Sequence, residues 1–290
     1  MDLINQLITN IKMFKRKLFG LIIIATGLVT LNMTLLWKQG DIAHFWMSIV
    51  FWLAVGSLLW EKQDILKQSE GKSDVLSIVA GTILIAFILF KSAMVSSKFD
   101  PFLRIAPFLS GLGLSLIAVG FQDLKQYGRE LVILFFHGIP SVITSPVVGI
   151  ITSITARAAY YSLWYVGFNV TREGNYVALP TGRVFVNDGC SGMEAMNYLL
   201  GLSVVCLLMF PTKQNKALVI GVAVACGFII NVFRVAGMAL LVASNRLDLF
   251  KYWHEGEGSL VVGMIAVILF GIFYQYMLKR DSKISQTSGN

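Results

Sequence analysis

The sequence predicts an all-α polytopic membrane protein, with about eight transmembrane helices and a small extracytoplasmic β-hairpin before the sixth. Three observations carry this. Hydrophobic residues make up 56% of the chain and charged residues only 14%, too little charge to cover a soluble protein of this size. Apolar runs of roughly 18 residues or more, enough to cross a hydrocarbon core of about 30 Å, recur from end to end. Helix is then imposed, because backbone N–H and C=O groups in lipid must satisfy one another.

Taken in order, the runs predict helices at 18–37, 42–60, 75–95, 102–121, 147–168, 193–210, 216–240 and 259–279. Residues 1–17 are polar, and the run after them is too long for a signal peptide and lacks a small-residue cleavage site. Residues 130–143 are apolar but meet Pro140, with Pro146 soon after. They are expected to form an interfacial or half-membrane helix leading into the fifth span. That span carries Arg157, costly unless it faces protein or water. Residues 169–192 predict the hairpin: a strand over 176–179, a turn at Pro180-Thr181-Gly182 and a strand over 184–186. Leu179-Pro180-Thr181-Gly182 resembles a sortase substrate signal and is read as that turn. Asn187-Asp188-Gly189 turns the chain again towards Cys190. Residues 281–290 are polar and expected to be disordered. Residues 1–290 make one membrane domain, with a four-helix half (1–129) and a half bearing the chemistry (130–280).

Lysine and arginine set the expected orientation. With a cytoplasmic N-terminus, fourteen of them lie in inner segments and six in outer loops, which predicts that both termini are cytoplasmic. The net charge of +8 belongs to these flanks and not to a basic stripe interleaved with aromatics, so no nucleic-acid partner is expected. No internal repeat supports inverted-repeat transport. Three cysteines without a CxxC give neither a metal framework nor a disulfide scaffold, and no cofactor is expected. None of the sixteen carboxylates falls inside a predicted span, which removes an intramembrane aspartyl protease and disfavours a carboxylate-based proton pump.

The chemistry concentrates late in the chain. Gly189-Cys190-Ser191-Gly192 opens the sixth span, and Ser191 with Glu194 fits a capping box. Cys190 then precedes a helix N-terminus, whose dipole lowers a thiol pKa and whose N–H groups can cradle an oxyanion. Cys206 and Cys226 lie in apolar helix and read as small buried hydrophobes. Arg234 stands eighteen residues past Lys216, about 27 Å along a helix, with Asn231 one turn before it as a hydrogen-bond partner. His254 sits in the loop before the eighth span, while His44 and His137 are read as solvated. Span parity brings Cys190, Arg234 and His254 to one membrane face. A thiol, a guanidinium and an imidazole there are the parts of a cysteine acyl-transfer enzyme.

Cys190-Ser191-Gly192 after a hairpin, Asn231-x-x-Arg234 in the next span, and His254 with Gly258 before the last span resemble the exosortase/archaeosortase family over about residues 130–280. The resemblance implies a membrane cysteine transpeptidase, a thiol-protease-class enzyme of the cell inner membrane. Cys190 would be nucleophile, His254 general acid/base and Arg234 transition-state stabiliser, supported by Asn231, Ser191 and Gly192. It implies, as partners, exported proteins ending in a sorting signal, a transmembrane helix and a basic tail, in the same lipid bilayer. Two other readings compete. One is a rhomboid-like serine protease using Ser191 and His254. The other is a non-enzymatic transporter or assembly factor.

Overall fold

The computed structural model describes residues 2–62, 73–96, 100–213, 215–255 and 257–287. The chain divides into two compact units, Met1–Ile139 and Pro140–Asn290. It is almost entirely helical, with one three-stranded sheet. Seven helical segments are long and apolar enough to cross a membrane, and Met193–Met209 is a shorter apolar helix. Its 17 residues sit at the lower limit for a span. Each of the eight expected spans coincides with one of these segments. The fold class read from hydropathy is therefore the one observed.

The first unit holds α1 (Asp2–Gln39), α2 (Ile42–Glu61), α3 (Val75–Ala93), α4 (Pro101–Val119) and the larger part of α5 (Gly128–Ile143). Aspartates start three of these helices. Asp41, Asp74 and Asp100 each accept a hydrogen bond from a first-turn backbone N–H, filling orphan donors that lipid would leave bare. Helices α3 and α4 meet at glycines, since a Cβ on Gly81 would lie 2.6 Å from the Gly113 carbonyl oxygen. Among the described residues, the buried carboxylates of this unit, Asp41 and Glu130, are matched. Arg104 pairs with Asp41 at 2.8 Å, and Lys62 with Glu130 at 2.8 Å.

Three expectations fail in or beside this unit. Pro140 does not end its helix, because α5 runs on to Ile143. Glu130 lies in α5, within a continuous apolar helical stretch from Leu124 to Tyr165, so a carboxylate does enter a candidate span; Lys62 compensates it. His44 and His137 are not solvated. Both are buried, their rings stand 4.5 Å apart, and His137 Nε2 is 2.7 Å from Ser48 Oγ.

The second unit holds α6 (Val148–Tyr165), β1 (Thr171–Glu173), β2 (Tyr176–Leu179), β3 (Gly182–Phe185), a 3-10 turn (Asp188–Cys190), α7 (Met193–Met209), α8 (Lys216–Ala243), α9 (Leu247–Glu255) and α10 (Glu257–Thr287). The expected hairpin is β2–β3, with Leu179 opposite Gly182 across the two-residue loop Pro180-Thr181. A third strand joins through Gly174-Asn175, where Gly174 takes φ +58°. Period-two alternation buries Val177, Val184 and Val186 against Ala156, Ala159 and Leu163 of α6 and Val232, Val235 and Ala239 of α8. The intervening Tyr176, Arg183 and Phe185 face outward. Arg157 lies on the exposed face of α6 in line with Ile154, Tyr161 and Trp164. The stretch before the last span is the helix α9 and not a loop. The segment expected as a disordered tail continues α10 as far as Thr287, and residues 288–290 lie outside the described residues.

Candidate active site

Cys190 ends the 3-10 turn that follows β3. The side chain of Asn187 shapes the turn, accepting the Cys190 N–H at 3.0 Å. Helix α6 grips it from one side: Thr152 Oγ1 donates to Asp188 Oδ1 at 2.9 Å, and Thr155 Oγ1 to the Ser191 carbonyl at 2.7 Å. Helix α8 grips it from the other, where Asn231 Nδ2 donates to the Cys190 carbonyl at 2.8 Å. Gly192 completes the junction with α7. It takes φ +83°, and a Cβ there would lie 2.7 Å from Asn231 Nδ2, so backbone conformation and space both demand glycine.

The capping box does not form. Gly192 occupies the N-cap position. The Ser191 hydroxyl accepts the Met193 N–H at 3.2 Å, while Glu194 takes the hydroxyl of Tyr198 at 2.7 Å and does not reach back. The N–H groups of Cys190 and Ser191 are spent on Asn187 and Asp188, and that of Met193 on the Ser191 hydroxyl.

The environment of the thiol also differs from expectation. Cys190 is only 2% exposed, and burial pushes its pKa above the ordinary thiol value; the Arg234 charge and the Asn187 hydrogen bond oppose that shift without reversing it. A lowered pKa from a helix dipole was the wrong expectation: burial dominates, and Ser191 and Gly192 stand between Cys190 and the start of α7 at Met193. Cys190, Cys206 and Cys226 are all free thiols.

Arg234 joins the Cys190 turn to α9. Its Nε donates to the Trp253 carbonyl at 3.1 Å and its Nη2 to the His254 carbonyl at 2.8 Å, while Nη1 lies 3.4 Å from Asn231 Oδ1. The Asn-x-x-Arg pair is thus real and inward-facing, and does not snorkel. One guanidinium covers two carbonyls at the end of α9, the favoured place for a cation. It has no carboxylate within ion-pair distance among the described residues, and two of its five N–H donors remain for another ligand.

His254 meets Arg234 through its backbone. Its imidazole stacks on Phe250 at 5.2 Å between centroids and 15° between planes. Phe250 and Trp253 pack on the apolar cluster that contains Cys190. Gly258 lets α10 start close to α9, since a Cβ there would lie 2.9 Å from the Tyr252 ring. Cys190, Asn231, Arg234 and the His254 backbone therefore form one connected set, with Ser191 and Gly192 in the turn. Thr152, Thr155, Asn187 and Phe250 belong to it and were missed. Spacing held a signal for some of them: Thr152 and Thr155 are one turn apart on α6, and Leu247, Phe250 and Trp253 recur every three residues. No group of three or more metal-ligating side chains occurs among the described residues.

Comparison with curated proteins and with solved structures returns no match. A family model does match, that of the transmembrane exosortase (Exosortase_EpsH), over residues 37–271. The match covers most of the chain and contains every residue of the connected set. This chain belongs to the transmembrane exosortase family, whose general role is that of a membrane transpeptidase or protease.

Proposed function

We propose that the chain is a cysteine peptidase and transpeptidase that removes a C-terminal sorting signal from exported membrane-anchored proteins through a thioester on Cys190. The observation that supports it best is the Arg234 guanidinium. It is held between the Cys190 turn and the end of α9, lacks a carboxylate among the described residues, and keeps two N–H donors to spend. A cation so placed stabilises negative charge that develops beside the thiol.

In this reaction His254 takes the thiol proton, and the sulfur attacks the scissile carbonyl carbon. The oxyanion draws the remaining donors of Arg234. His254 returns the proton to the leaving amine as the C–N bond breaks, which leaves an acyl thioester. Water or an amine, deprotonated by His254, then attacks the thioester and expels the thiol. A thiol held protonated by burial needs such a base, which fits the raised pKa of Cys190. With both termini cytoplasmic, the set lies at the outer face of the inner membrane. A substrate anchored in the same bilayer is then already concentrated at the site.

The serine reading fares worse. The Ser191 hydroxyl is fully buried and engaged at the start of α7, and the Ser191 carbonyl is held by Thr155. Both readings meet one test: mass spectrometry of membrane-anchored exported proteins from cells carrying the native chain, Cys190→Ala or Ser191→Ala. Loss of C-terminal cleavage in Cys190→Ala with residual cleavage in Ser191→Ala is expected. The reverse pattern establishes the serine enzyme, and cleavage unchanged in both variants leaves no peptidase to discuss.

A further inference from the structure

We infer that the outer edge of β3 is the docking site for the substrate main chain: an extended peptide segment N-terminal to the scissile bond adds beside β3 as a fourth strand. This rests on the reading of Cys190 as nucleophile, and it names how the peptide reaches that thiol.

The sheet order β1-β2-β3 leaves β3 at an edge. Its hydrogen-bond phase follows from one contact, the Val186 N–H donating to the Asn175 carbonyl at 3.0 Å. Antiparallel pairs alternate between bonded and non-bonded. Val184 opposite Val177 and Gly182 opposite Leu179 are then bonded pairs, while Arg183 opposite Ala178 and Phe185 opposite Tyr176 are not. Arg183 and Phe185 therefore aim their N–H and C=O groups away from β2. Both residues are exposed, Phe185 at 50%. Evolution usually blunts such an edge with proline or projecting charge. Here there is no proline in β3, and the Arg183 guanidinium lies over the Tyr176 ring at 5.1 Å, on the face of the sheet.

The edge leads to the thiol. Thr181 Oγ1 donates to the Ala243 carbonyl, and Asn231 holds the Cys190 carbonyl twelve residues earlier on α8, so the chain from the hairpin loop to Cys190 travels about 18 Å along that helix. Asn187 continues the extended backbone at φ −92° and ψ 178°, and residues 187–189 are exposed. An alternating row of donors and acceptors matches a peptide main chain, the ligand of β-augmentation. Because β3 runs towards Cys190, a segment whose C-terminal carbonyl is to be attacked there lies parallel to β3.

The experiment uses the detergent-solubilised full chain and two electrophiles, acetyl-pentaalanyl and acetyl-alanyl chloromethyl ketone. Each alkylates Cys190 by forming a sulfur–carbon bond and expelling chloride, read by peptide mass spectrometry. The longer ketone should react about tenfold faster or more with the native chain, a gain of the size that one or two main-chain hydrogen bonds supply. Phe185→Pro removes one outward N–H and leaves the β2–β3 ladder intact, as proline does on an edge strand. It should cut that length advantage roughly three- to tenfold. Phe185→Ala, which keeps the N–H, should retain most of it. Arg172→Pro makes the same change on the β1 edge and should leave it alone. Iodoacetamide labelling of Cys190 at the native rate, not faster, reports that each variant keeps its thiol buried, and Arg183→Pro repeats the test should Phe185→Pro lose that rate. A length advantage absent from the native chain, surviving Phe185→Pro, or lost equally in Phe185→Ala overturns the edge. The nucleophile reading fails separately, by continued cleavage in cells carrying Cys190→Ala.

Discussion

The two compact units handle buried charge in opposite ways. In Met1–Ile139 the half-buried cations Arg104 and Lys62 meet carboxylates, Asp41 and Glu130. In Pro140–Asn290 the half-buried Arg234 meets only carbonyls and an amide oxygen among the described residues. A matched pair is electrically silent towards its surroundings. An unmatched cation projects a field, and its field falls on the Cys190 thiol. The contrast separates charge used to hold helices together from charge kept for a reaction.

Substitutions can break this contrast, and the largest effect belongs to the thiol itself. Cys190→Ala should reduce cleavage by roughly a thousandfold or more, because the covalent route disappears, measured as the accumulation of uncleaved precursors. Arg104→Met comes next but acts on stability. It takes the guanidinium from the buried Asp41 carboxylate, and removing one partner of a buried ion pair costs about 3–5 kcal/mol. A fall in the temperature of unfolding, with normal iodoacetamide labelling of Cys190 in the protein that remains folded, is the expected outcome. If Arg104→Met instead quenched Cys190 reactivity at full stability, the assignment of that pair to architecture alone would be wrong.

Arg234→Lys should lower kcat by about a hundredfold, the usual result of removing one preorganised oxyanion donor. Lysine keeps the charge but cannot span the Trp253 and His254 carbonyls and a substrate oxygen together. A wild-type kcat in this variant would reduce Arg234 to a helix clamp. Asn231→Ala should cost about 1–3 kcal/mol of stability, because it leaves the Cys190 carbonyl without its partner. Thermal unfolding beside the native chain checks it.

The smallest effect is on titration. Burial raises the Cys190 pKa and the Arg234 charge lowers it. The rate of iodoacetamide labelling should therefore rise with pH, with an inflection above that of an ordinary thiol, about 8.5. Arg234→Gln removes the lowering influence and should move the inflection further up. A downward move would mean that the guanidinium does not act on the thiol.

The spans were legible because lipid leaves the backbone no alternative to helix, and hydropathy reports lipid directly. The site was legible only in part. Parity of spans was enough to bring Cys190, Arg234 and His254 to one end of the bundle. It said nothing of α9, whose apolar residues are too few for a hydropathy window yet pack Phe250 and Trp253 against the core. The capping box misled because Ser-x-x-Glu is a local pattern, while Gly192 at φ +83° is set by the contact with Asn231, thirty-nine positions away. The histidines of the first unit misled in the same manner: His44 and His137 lie ninety-three positions apart, and only packing puts their rings together. The strand β1 could have been read from Gly174-Asn175, a two-residue turn signal between short runs.

The close approach of Gly192 to Asn231 has a consequence for anyone wishing to rebuild this protein. The segment that carries the sulfur and the helix that carries the guanidinium interlock with no room between them, so neither can be exchanged for a foreign counterpart by itself. Chimaeras that swap residues 187–192 and 227–234 as a matched pair should remain active, whereas those that swap either stretch singly must begin by repairing a collision.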